Sequence, residues 1–293
     1  IRFSHAVSAR PALAAYDPGR HEMPHDLARA YRENIDALTS VGFQVAADLY
    51  QQGWVKNVNL RAALLESADG DEKAVVAAMH AATGRPRVAV SYVEFVTKFA
   101  DGRKLLVNNS PQMGVYAPVA GRTLAQFLDV RDPARLRRIH QSLVRRHVGP
   151  SQTMPADHRG DPAGFLSEAM VRELQEQVST GYLWLDQDAG VFRPTLRGAL
   201  LMTWKLLPPV SNLRKARLRY RANQILRELG MEGPDPDPVR SPSTGAGLGW
   251  AWVVVGAVVV VFLISLFGID VINQGPDDTE LVLSADFTVP DDF

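Results

Sequence analysis

Two histidines one helical turn apart can grip a single metal ion while an intervening glutamate serves as base, and His21-Glu22-Met23-Pro24-His25 spells that H-E-x-x-H arrangement by letter. Pro24 speaks against it. A proline belongs in the first turn of a helix, so a helix beginning there leaves His21 in the preceding loop, and one beginning earlier is disrupted. No third ligand stands nearby, and no metal is expected. The chain has no cysteine, which removes disulfides, thiolate metal sites and a cysteine nucleophile.

No G-x-S-x-G elbow is present, so a serine nucleophile would need a histidine and an acid that only the fold brings together. His80, His140 and His147 read as partners in or near the core. The glycines of TGAGLGW, Thr244 to Trp250, follow a linker rather than a strand, the wrong setting for a phosphate cradle. Asn108-Asn109-Ser110 is a formal glycosylation sequon. These letters give no catalytic, cofactor-binding or metal-binding residue, and no cofactor is expected.

Charge carries more. Basic and acidic residues balance at 32 each, yet they are sorted along the chain. Arg214, Lys215, Arg217, Arg219 and Arg221 fall within eight residues, whereas nothing from Asp270 to Phe293 is basic. Between these regions Trp250 to Ile269 runs about 20 residues without a charge, long enough as a helix to cross a hydrocarbon core of about 30 Å. VVVGAVVVVFLI has no polar face to turn toward water, and in lipid the backbone must satisfy itself internally, so a single transmembrane helix over 250–269 is expected. Trp250 and Trp252 stand where indoles favour the headgroup region.

Every lysine and arginine precedes that helix, which places the main domain in the cytoplasm and the acidic tail, 270–293, outside. The opening twenty residues hold no apolar run suited to a signal-peptide core. An arginine-rich, alanine-rich composition is that of GC-rich bacterial genomes, so the expected location is a bacterial inner membrane. The five basic residues, with Trp250 and Trp252, are the candidate membrane-surface residues, because an anionic leaflet offers about 1 kcal/mol per basic side chain. A second basic run, Arg135, Arg137, Arg138, Arg145 and Arg146, reads as a solvated helix face.

The elements ahead of the membrane divide in three. Residues 1–118 read as a strand-rich α+β domain: PHDLARAYRENIDALTSVGF places Leu27, Tyr31, Ile35 and Leu38 at helical spacing with Gly42 as stop. After it FQVAADLYQ, RAALLES, KAVVAAMHA, VAVSYVEFVTKF and KLLVNNS read as antiparallel strands, with Asp101-Gly102 turning the last hairpin. Val93, Phe95, Thr97 and Phe99 form that hairpin's buried face; Tyr92, Glu94, Val96 and Lys98 form the other. Residues 119–230 read as mainly helical with one hairpin, GYLWLDQDAGVFRPT, and 231–249 as a proline- and glycine-rich linker. The expected fold is α+β: a helix on a small antiparallel sheet, then a mainly helical region and one C-terminal transmembrane helix.

The function these features imply is a membrane-anchored binding or assembly module without catalysis of its own. Its expected partners are the lipid bilayer and one or more proteins; nucleic acid is not expected. Two alternatives are a tethered enzyme whose active-site residues are scattered in sequence, and a tethered regulator, since a hairpin between helices resembles in topology the wing of a winged-helix module.

Overall fold

Pro24 closes the opening loop and caps the first helix, α1 (His25–Ser40), through a 2.9 Å bond from the Ala28 amide to its carbonyl. Leu27, Tyr31 and Leu38 are buried on one side, and the chain turns out of the helix at Gly42, whose φ of 96° suits glycine. The computed structural model describes residues 6–55, 58–81, 89–147, 153–154, 160–233 and 235. The expected transmembrane helix, the acidic tail and most of the linker lie outside the described residues. Among those described, no helix is long and apolar enough to cross a membrane.

The fold is mixed α+β. Two short strands, β1 (Val7–Ser8) and β2 (Ala14–Ala15), precede α1. After it come β3 (Phe43–Val55), β4 (Val58–Ser67), β5 (Lys73–Ala81), β6 (Ala89–Phe99), β7 (Lys104–Asn108) and β8 (Arg122–Gln126). Then follow α2 (Pro133–His147), β9 (Thr153–Met154), α3 (Pro162–Ser179), β10 (Leu183–Asp186), β11 (Val191–Pro194), α4 (Leu196–Leu206) and α5 (Val210–Glu228). The five strand-like runs of the sequence become the antiparallel meander β3 to β7, and the turn into β7 has Gly102 at φ 85°.

The sheet is larger than the small antiparallel one expected, and it is mixed. It has 11 strands in the order β10-β11-β1-β3-β4-β5-β6-β7-β8, with β2 beside β3 and β9 beside β6, and β7 pairs with β8 in parallel. The additional strands are short and take their pairing from partners distant in the chain, so local pattern carries little of it.

One face of the sheet packs on α1, α2 and the end of α5. Leu65, Val76, Val93, Phe95 and Val107 meet Tyr31, Leu136 and Ile139 in one buried cluster, where each large apolar side chain contributes roughly 1.5–3 kcal/mol. Asp132 caps α2 by accepting from the Ala134 amide at 2.9 Å. The first residues of the linker are tied down beside that cap. Asp235 accepts from the Asp132 amide at 2.9 Å and pairs with Arg135 at 2.7 Å, both side chains buried. Asp235, the last described residue, therefore sits at the N-terminus of α2.

The other face curls around α3. Leu174 of α3 packs on Val7, Leu183 and Phe192 at one end of the strand order, while neighbouring Glu173 pairs with Arg122 of β8 at 2.8 Å and Glu176 with Lys104 of β7 at 3.8 Å at the opposite end. Strands from both ends meet one helical turn only if the sheet bends strongly. Register shifts in β3 between Val45 and Ala47 and between Gln51 and Val55 supply bulges of the kind that bend strands.

Candidate functional site

His21 and His25 do not share a face. His21 lies in the loop before α1, stacked on Tyr50 at 4.1 Å, and its Nδ1 accepts from the Asp17 amide at 3.0 Å. His25 is the first, exposed residue of the helix. Among the described residues no group of three or more histidine, aspartate or glutamate side chains is placed to hold a metal. The basic run on α2 is mostly internal bracing: Arg135 binds Asp235, Arg137 binds Glu72 and the Val41 carbonyl, and Arg146 binds Glu228.

The candidate membrane-surface residues lie on α5. Its C-terminal half packs inward through Ala222 and Leu226, while Lys215, Arg217 and Arg219 are exposed. Arg214 donates to the Gly114 carbonyl at 3.0 Å and Arg219 pairs with Asp129 at 3.1 Å, so part of the cluster fastens the helix to the domain. Arg221 is half-buried; Trp250 and Trp252 lie outside the described residues.

Beside it, α4 presents an apolar stripe that the sequence reading did not single out. Leu196, Leu200 and Trp204, spaced by four, are 60%, 40% and 46% exposed, and Leu213 at the start of α5 is 72% exposed. Spacing by four puts the three on one helical face. The stripe is turned outward because the opposite side of α4 sits on the β10–β11 hairpin: a Cβ on Gly198 would stand 2.0 Å from the Tyr182 carbonyl oxygen. Only glycine allows that approach.

Between α3 and the curled face of the sheet lies a cavity of about 1490 Å³, larger than the roughly 300–1,000 Å³ of ordinary ligand sites. Its floor has a polar end and an apolar end. In register, Lys98 of β6 faces Lys104 of β7, which faces Arg122 of β8. Farther along β6, Glu94 faces Val75, and Tyr92 faces Ala77, with Leu64 and Ala62 opposite them on β4. Phe165 of α3 hangs over the polar end, 5.8 Å from the Lys98 ammonium and 6.0 Å from that of Lys73.

Burial sets the charge states here. It raises the Glu94 carboxyl above its usual range, and the nearby Glu173 carboxylate adds to this while a 2.8 Å bond from Asn108 opposes it. Burial likewise raises the Tyr92 phenol. It lowers the Lys98 ammonium, with Lys104 and Arg172 pushing the same way. Tyr92, Glu94, Val96 and Lys98 were legible as one face of β6, but not as the lining of a chamber. The available signal was that this face mixes long apolar and charged side chains, and that an amphipathic α3 needed something to cover.

Compared with protein-family models, curated proteins and solved structures, the chain matches none.

Proposed function

We propose that the chain is a single-pass membrane protein whose α+β domain stands at the cytoplasmic face of a bacterial inner membrane and acts there as a binding or assembly module without catalysis of its own. The observation that carries this reading is the uncharged stretch Trp250 to Ile269, which has the length and all-round apolarity of a spanning helix. The α4 stripe and the adjoining exposed cations of α5 support it, because apolar side chains flanked by basic ones suit an anionic leaflet. From Asp235 the tether to Trp250 spans at most about 50 Å, which keeps that surface near the bilayer.

Fractionation tests it. The full chain is expected to stay with membranes through a high-salt wash, and a chain ending at Ser241 to be released by the same wash. At low salt the shortened chain is expected to float with anionic vesicles and not with neutral ones, since the residual attraction is screened over roughly 10 Å. A shortened chain that resists the salt wash would contradict the anchor.

A second reading, a tethered enzyme, is favoured by one observation: two carboxyl groups line the cavity from opposite sides, Glu94 on β6 raised by burial and Glu173 on α3 paired with Arg122. That reading requires a turnover that Glu94→Gln abolishes.

A further inference from the structure

We propose that the cavity between α3 and the curled face of the sheet binds a single-chain amphiphile with an anionic head group, the head at Lys98 and the tail along Leu64, Val75, Ala77 and Met79. The inference goes beyond the membrane anchor and does not depend on it.

Three features carry it. The first is size and shape: from Lys98 to Tyr92 the floor extends about 20 Å along one strand, and the chamber continues past Tyr92 to Met79 and Leu60. The second is the division of chemistry. The side chains of β4 and β5 that line the cavity beyond Lys73 are aliphatic or methionine, an apolar runway that a compact polar ligand would not use.

The third is the charge at the near end. Lys73 is paired with Glu66, Lys104 with Glu176 and Arg122 with Glu173, but among the described residues no carboxylate pairs with Lys98. Its ammonium is half-buried, with Phe165 above it and Lys104 and Arg172 as like-charged neighbours. A half-buried cation with no carboxylate partner among the described residues is costly. An anionic head group would supply that counter-charge, while its tail would cover the apolar floor.

The test uses photoreactive, alkyne-bearing probes with one long alkyl tail and three different heads: a carboxylate, a lysophosphatidate phosphate, and a quaternary ammonium. Each is irradiated with the full chain in isolated membranes, and the labelled peptides are mapped. The carboxylate or the phosphate probe is expected to label peptides of β5, β6 or α3, and which of the two does so separates a fatty acid from a lysophospholipid. Lys98→Gln is expected to reduce that labelling about tenfold, one charge-assisted contact, and Lys98→Arg to retain it. Val75→Trp, which fills the floor, is expected to block it independently of charge. Equal labelling by the ammonium probe, labelling unchanged in Lys98→Gln, or label confined to the 250–269 peptide would overturn the proposal.

Discussion

Replacing Asp48 with alanine is expected to lower the stability of the chain by about 2–3 kcal/mol. Asp48 on β3 accepts from the Tyr31 hydroxyl at 2.9 Å and from two nitrogens of Arg61, at 3.0 and 2.6 Å. The guanidinium is held between two rings, 3.4 Å from the centroid of Tyr16 and 4.4 Å from that of Tyr31. Four segments, the opening loop, α1, β3 and β4, therefore meet around one ion pair. The Arg61 side chain is only 12% exposed and that of Asp48 29%, so removing Asp48 strands a largely buried cation and a fully buried phenol. Partial solvent access at Asp48 holds the figure below that of a fully enclosed pair. Thermal unfolding of the full chain in detergent checks it: Asp48→Ala is expected to melt roughly 5–10 °C lower, Asp48→Asn less. A melting point within about one degree of the parent would show that the cluster is an ordinary surface pair.

The second large effect is on acid stability. His140 of α2 is buried in the main core, stacked on Phe95 at 5.2 Å, with Nε2 2.9 Å from the Thr97 hydroxyl and Nδ1 without a partner among the described residues. Burial, and to a smaller degree Arg137, lower its pKa from 6.5 to about 4. Unfolded chains therefore take up a proton between those values that the folded chain refuses. The sign follows: this contribution is fully present above pH 6.5 and is lost as pH falls through about 4. The difference corresponds to about 3 kcal/mol. Denaturant unfolding measured across that window checks it, and His140→Gln is expected to flatten the slope even though it lowers stability near neutrality. If the variant keeps the parent's slope, carboxylates elsewhere govern the acid response.

What the sequence disclosed was what local pattern can encode. The meander β3 to β7 was readable because each strand is a short apolar run closed by turn residues. The helices were readable from Pro24, from Asp132-Pro133 and from Gly230, each a start or stop whose backbone reason is local. β8 was not: RTLAQ is five residues with a parallel partner, and β1, β2 and β9 are two residues each, held by neighbours far along the chain. The cavity escaped for the same reason. It exists because Glu173 and Glu176 reach residues more than fifty positions away, a closure that no local period records. The basic helix was visible in outline, yet its division into fastening arginines and exposed cations depends on Gly114 and Asp129, about a hundred residues distant.

The central claim, a domain on the cytoplasmic side joined by one helix to a tail outside, is tested most directly by labelling with a membrane-impermeant maleimide. The sequence has no cysteine, so one introduced thiol is the only site that reacts. Ser40→Cys places it on the exposed end of α1, and Ser284→Cys places it in the acidic tail. In intact spheroplasts Ser284→Cys is expected to be labelled, and Ser40→Cys only after lysis. Labelling of Ser40→Cys in intact spheroplasts, with Ser284→Cys protected until lysis, would reverse the orientation and contradict the account.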